Sequence, residues 1–280
     1  MLTPFMTARA DMLGRRVISA QATSALAAAL LLHARPRSSA ASEFRAVAVV
    51  AGGFLIPSEQ YLSYAAGLEA LGCCTLTFAD PSTLSLPVLP SEAARAALDA
   101  VEAQARGLGV APDAPLFLLG HSRGAKTCVA AASLSRRRVA GMVLLDPVDA
   151  TSKDPSSVLD TLGRLRVPTA VLGSRYGESD GCAPRGANHE AFARSIDPAT
   201  ERLVGVLGKA GHTQFVDQRR SLLVDVCSRG ADKDEQVREL ALTTTTAWFE
   251  HTLKAHAASD DGSIRALRQR SFGATIEWVA

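Results

Sequence analysis

Pro115-Leu116-Phe117-Leu118-Leu119-Gly120-His121-Ser122-Arg123-Gly124 is the stretch on which the fold turns. The apolar run up to Leu119 has the length of a buried strand, and residues 123–132 behind it read as a helix. Between them lies a Gly-x-Ser-x-Gly run centred on Ser122. Strand, sharp turn and helix make this pattern a nucleophile elbow, because the glycines let the chain bend tightly and the Ser hydroxyl projects from the turn. At ordinary glycine and serine frequencies the five-residue pattern arises by chance in roughly one chain in ten of this length. Its setting therefore carries the reading.

Outward from the elbow, apolar runs alternate with helical patterns. Residues 46–50, 74–79, 139–145, 168–172 and 203–207 read as strands, the last being the final clear one. Tyr61, Leu62, Ala65, Leu68 and Leu71 have helical spacing, and Ser91 is placed to cap a helix over 92–106. Val237, Leu240, Ala241, Thr244 and Trp248 fall on one face of a long closing helix. This alternation predicts an α/β fold, a mostly parallel sheet with helices on both faces. Such sheets bind ligands beyond the carboxyl ends of their strands. That edge collects Gly52-Gly53, Ser122, Asp146, Asp180 and His212.

Composition narrows the function classes. The chain has 280 residues, 47% hydrophobic and 21% charged, which is ordinary for a globular protein with a substantial core. A net charge of +2 argues against a nucleic-acid partner. Arg136-Arg137-Arg138, the one basic cluster, reads as a solvated loop. Five cysteines without CxxC or Cys/His spacing speak against a disulfide framework and a structural zinc site, leaving open one bridge through Cys182 or Cys227. Residues 1–42 differ from the rest: five arginines, one acid and many Ala, Ser and Thr give a transit-peptide composition. They are read as an organelle-type targeting segment, with the catalytic domain over 43–280. Arg15-Arg16 before an apolar run also permits a twin-arginine export signal, and a structured helix is the third reading.

A Ser hydroxyl needs a base to take its proton, and the base needs an acid to fix its tautomer and stabilise its charged form. The order Ser, then acid, then His is that of α/β-hydrolases. Ser122, Asp146 and His212 satisfy it, each just past a strand. His189 competes with His212 but sits at a helix start, where a structural hydrogen bond is its ordinary role. His121 lies inside the elbow and would flank Ser122. His251 and His256 belong to the closing helix. Asp146 and Asp180 are nearly equal candidates for the acid, one after each of two successive strands. The oxyanion donors would be the main-chain N–H groups of Arg123, after the nucleophile, and Phe54, after the first glycine-ended strand.

Five segments together resemble the chlorophyllase family of the α/β-hydrolase superfamily. They are Gly53-Phe54-Leu55-Ile56, the run Gly120 to Thr127, Leu145-Asp146-Pro147-Val148-Asp149, Cys182-Ala183-Pro184 with Asn188-His189-Glu190 and Phe192, and Gly211-His212 with Phe215-Val216-Asp217. The resemblance implies that Asp146, in the Asp-Pro-Val segment, is the triad acid. It also implies hydrolysis of the phytyl ester of chlorophyll, a lipophilic substrate compatible with peripheral membrane contact, and no metal or organic cofactor. Ala125 stands where the family has a third Gly, Ala51-Gly52 replaces its His before the oxyanion Gly, and Thr-Gln-Phe-Val-Asp follows His212 in place of an acid-rich run. These departures mark a divergent, algal-type member. The alternatives are a general carboxylesterase or lipase acting on other lipophilic esters, and a non-catalytic protein binding a tetrapyrrole or other hydrophobe.

Overall fold

The computed structural model describes residues 44–83, 87–152, 154–217, 227, 229–254, 262–270 and 274–279. The targeting-segment reading of 1–42, and His256, lie outside them. Among the described residues seven strands form one sheet: β1 (Ala46–Ala51), β2 (Cys73–Phe78), β3 (Leu116–His121), β4 (Val139–Leu145), β5 (Thr169–Ser174), β6 (Arg202–Leu207) and β7 (Ile276–Val279), in the spatial order β2-β1-β3-β4-β5-β6-β7. The first six run parallel, and β7 pairs antiparallel with β6. Eight α-helices are described: α1 (Leu62–Ala70), α2 (Pro90–Gly107), α3 (Gly124–Leu134), α4 (Leu159–Arg164), α5 (Tyr176–Asp180), α6 (His189–Ser195), α7 (Asp234–Lys254) and α8 (Gly262–Gln269).

Because helices cover both faces, the parallel strands are apolar at successive positions rather than at alternate ones. Alternate residues still go to different cores. Val47, Val49, Leu116, Leu118, Met142 and Leu144 pack under α2, α3, α4 and α6. Ala48, Val50, Phe117, Leu119, Val143 and Leu145 face α1, α7 and α8, where Trp248 and Phe249 are buried. The α/β-hydrolase expectation is met in this architecture. Inside the sheet β3, flanked by β1 and β4, runs into the elbow and α3.

Four expectations need correction. The last strand is β7 rather than β6, and α7 is not the closing helix, since α8 and β7 follow it. Helix α2 begins at Pro90 with Leu89 at its N-cap and no side-chain cap, so Ser91 lies inside the helix. Proline suits this first position, where its missing N–H would have no helical partner anyway. Arg136-Arg137-Arg138 is not a solvated loop throughout. Arg137 is buried, donating from Nε to Glu102 (2.6 Å) and from Nη1 to the carbonyls of Ala111, Pro112 and Ala114. Its charge ties the β3 entry to α2. The odd cysteine count concealed one bridge, Cys182–Cys227, while Cys73, Cys74 and Cys128 are buried and free. Among the described residues no helix is long and apolar enough to cross a membrane.

Candidate active site

The elbow is set by close backbone approach. A Cβ on Gly124 would lie 2.2 Å from the Ala51 carbonyl oxygen, and one on Gly120 would lie 2.6 Å from the Gly124 oxygen. Glycine is required at both because α3 leaves the turn against the end of β1. Ser122 pays for the bend with φ of 55°, a left-handed conformation costing about 1–3 kcal/mol in a non-glycine residue. Main-chain bonds hold it there: Ser122 N–H donates to Leu145 O (3.0 Å), and Ser122 O accepts from Ala125 (3.1 Å) and Val148 (3.2 Å). Asp146, at φ of 37°, is bent likewise just past β4 and fixed by its N–H to Leu172 O (2.6 Å). Both side chains are thus turned out of the strand direction at the carboxyl edge.

His212, at the start of a 3-10 turn (His212–Phe215) after β6, lies between them. Its Nδ1 is 2.7 Å from Asp146 Oδ2 and its Nε2 is 2.8 Å from Ser122 Oγ. Asp146 is fully buried, and burial alone would raise its pKa. The neighbouring His189 and His212 imidazoles outweigh that, and its carboxyl titrates well below the usual carboxylate range. An ionised carboxylate only accepts, so Nδ1 carries the proton and Nε2 offers its lone pair to the Ser122 hydroxyl. Two further bonds hold the acid, from Ser174 N–H to Oδ1 (2.8 Å) and from Ser174 Oγ to Oδ2 (2.6 Å). This geometry can move a proton from a hydroxyl to an imidazole beside a fixed negative charge.

Side-chain contacts that the sequence did not show complete the frame. Gly53 N–H donates to Tyr61 Oη (2.9 Å), Tyr61 O–H donates to His121 Nδ1 (2.7 Å), and His121 Nε2–H donates to the His212 carbonyl (3.0 Å). This one-directional chain requires a neutral imidazole. Burial, then the neighbouring His212, lowers the His121 pKa to about 3. Gln214 fixes the His212 turn by accepting from Gly211 and Gly230 N–H and donating to Asp232 O and Asp234 Oδ1. The Arg123 side chain points away from Ser122, to Asp80 (2.6 Å), Asp154 (3.0 Å) and the Val88 carbonyl. Buried Lys126 joins Asp154 (2.8 Å) and Ser156 (3.0 Å), so two cations of the elbow and α3 hold the loops after β2 and β4. Ser174, which fixes the acid, ends β5, two residues past the strand end read from the sequence.

Phe54 and Arg123 line the same cavity as Ser122 and His212, and neither N–H enters a turn or loop main-chain hydrogen bond among the described residues. That cavity, of about 480 Å³, is walled by Phe54, Ile56, Pro87, Val148 and the Cys182–Cys227 bridge. Asp180 ends α5, and His251, on α7, pairs with Glu201 (2.5 Å). His189 is buried near Asp146, yet neither of its ring nitrogens makes a hydrogen bond, against its expected structural role.

Comparison with known proteins matches part of the chain. Chlorophyllase-1, chloroplastic, from Citrus unshiu and its namesake from Citrus sinensis are each 36% identical over 113 residues, 37% of this chain and 33% of theirs. The chain thus spans about a third of the length of the curated relatives it matches. A solved structure from work on two metagenome-derived lipolytic enzymes superposes with a TM-score of 0.43 at 16% identity, covering 65% of this chain and 91% of that one. The family model described as Chlorophyllase matches residues 103–274, more than half of the sequence and including Ser122, Asp146 and His212. The chain belongs to the chlorophyllase family.

Proposed function

We propose that this protein is a serine ester hydrolase that cleaves the phytyl ester of chlorophyll to chlorophyllide and phytol, with Ser122, His212 and Asp146 as its triad. The observation that carries the reading is His212 within hydrogen-bond reach of both Ser122 Oγ (2.8 Å) and Asp146 Oδ2 (2.7 Å), in the wall of an apolar cavity. Family membership supports chlorophyll as the substrate among lipophilic esters.

In the first half-reaction Ser122 Oγ attacks the ester carbonyl carbon while its proton passes to His212 Nε2. The carbonyl oxygen becomes an alkoxide accepting from the N–H groups of Phe54 and Arg123, and each such donor is worth about 10²–10³ in rate. Asp146 stays ionised and stabilises the imidazolium. Collapse breaks the bond to the phytyl oxygen, which takes the proton from His212 and leaves as phytol. Water then gives a proton to His212 and attacks the acyl-Ser122 carbonyl. Chlorophyllide departs as Ser122 recovers its proton from His212.

Incubation with chlorophyll should yield a green pigment that stays in the aqueous phase after hexane extraction. Ser122→Ala should lower that rate by at least about 10³-fold at unchanged melting temperature; full activity in this variant refutes the mechanism. Faster turnover of simple p-nitrophenyl esters than of chlorophyll or pheophytin would favour the general carboxylesterase. Failure of a fluorophosphonate to label Ser122 would favour a non-catalytic binder. The composition of residues 1–42 and the naming of the Citrus relatives support a chloroplast location. Mass spectrometry of the native N-terminus separates that from twin-arginine export.

A further inference from the structure

Behind the triad acid, on the side away from Ser122, lies a group of side chains that the hydrolytic reaction does not use. His189 opens α6 and is 1% exposed, and neither of its ring nitrogens has a hydrogen-bond partner. Leaving a buried polar group unpaired costs about 1–3 kcal/mol, so an imidazole in this position calls for an explanation. The fold makes room for it: a Cβ on Gly173 would lie 2.0 Å from His189 Cγ. The ring is therefore seated on the β5 backbone, with its nitrogens facing the carboxylates of Asp146 and Glu178 beyond hydrogen-bond distance.

Facing His189 Nε2 at 3.7 Å is Glu178 Oε1, which is also buried and also without a hydrogen-bond partner. Glu190 supplies a third donor, and one ligand atom from each of the three lies within 4.8 Å of the others. A separation of 3.7 Å is too long for an N–H···O hydrogen bond, which spans about 2.7–3.2 Å. It suits two ligands of one ion, because donors each about 2.1 Å from a zinc at the tetrahedral angle sit about 3.4 Å apart. Glu190 is partly exposed and can close the remaining distance by rotation.

The other ring nitrogen looks toward a carboxylate of the kind that orients metal-bound histidines. Nδ1 faces Asp146 Oδ1 at 3.6 Å, and histidine ligands usually hand their second N–H to a carboxylate, which fixes the tautomer with Nε2 free to ligate. Two carboxylates and a neutral imidazole complement a dication. Arg185 and Arg194 approach the far oxygens of Glu178 and Glu190 at 3.5 Å each, but both are largely exposed and can swing into solvent. Their charge disfavours weakly held hard ions such as Mg²⁺, and the mixed nitrogen and oxygen donor set suits a borderline transition ion.

We propose that Glu178, His189 and Glu190 form a binding site for one divalent transition cation of the zinc type, joined to the triad through His189 and Asp146. The test uses the full-length protein, stripped with a chelator and titrated with Co²⁺, then Zn²⁺. One equivalent of Co²⁺ should bind with visible d–d absorption and be displaced by Zn²⁺. Glu178→Gln and Glu190→Gln should each weaken binding by at least about tenfold, with the circular dichroism and melting temperature of the metal-free protein unchanged. Glu190 is partly exposed, so its variant keeps the test interpretable if the buried one misfolds. Two results overturn the proposal: no stoichiometric binding, or binding that persists in both glutamine variants and disappears in His212→Gln, which would put the ion on the triad.

Discussion

Replacing His121 by Gln tests the buried hydrogen-bond chain behind the elbow through its pH dependence. His121 has a folded pKa of about 3 against an ordinary 6.5. Below pH 6.5 the unfolded chain binds a proton at this position and the folded chain does not. Folding therefore loses about 1.4 kcal/mol per pH unit from this group as pH falls from 6.5 towards 3. Between pH 8 and pH 5 the loss is about 2 kcal/mol. The variant has no titrating group there and escapes that loss. It suffers instead a pH-independent loss of about 1–3 kcal/mol, because one amide cannot reach both Tyr61 Oη and the His212 carbonyl as the imidazole does. Wild type should be the more stable at pH 8, and its advantage should shrink by about 2 kcal/mol at pH 5. Denaturant unfolding of both proteins at pH 8, 6.5 and 5, with the disulfide intact, measures the two curves. Parallel curves, with a gap constant to within about 0.5 kcal/mol, would refute a neutral buried His121.

Ser174→Ala removes the 2.6 Å bond to Asp146 Oδ2 and leaves the main-chain bond to Oδ1; ester-hydrolysis kinetics should show kcat down about tenfold with KM unchanged, as befits a group acting through the acid. Gly124→Ala drives a methyl into the Ala51 and Gly52 carbonyls, neither of which can rotate away; thermal or denaturant unfolding should report a loss of about 3 kcal/mol. Cys227→Ser opens a bridge spanning 45 residues, with a chain-entropy cost of up to about 4 kcal/mol. Because that bridge walls the cavity, KM for chlorophyll should rise more than kcat falls.

The sheet and its elbow were legible because strands covered on both faces leave continuous apolar runs, and the Ser122 turn adds glycines at fixed offsets. β7 was not legible. It is four residues long, alternates partly buried and exposed positions, and is held mainly by pairing with β6, a partner some seventy residues earlier. Asp146 and Asp180 could not be separated by local pattern, since each follows a strand. What distinguishes Asp146 is the placement of β4 next to β3, together with its left-handed turn, and both exist only in three dimensions. Phe54, Arg123 and His212 came from their places after strands. The Tyr61–His121 link joins residues 60 apart through one hydroxyl, so no spacing rule would have found it. Arg137 was misjudged because three consecutive arginines look solvated, while its acceptors are scattered over 102–114.

The antiparallel strand β7 has a consequence for the solubility of the whole chain. Without it, β6 would be an uncovered border, six residues of nearly continuous apolar side chains with unsatisfied main-chain donors and acceptors on one side. Such a border is a template on which another copy can add a strand. Ile276 and Trp278 lie against Gly205, so β7 occupies that border with bulk as well as hydrogen bonds. During synthesis β6 emerges long before its cover does, and the nascent protein passes through an interval in which self-association competes with closure of the sheet.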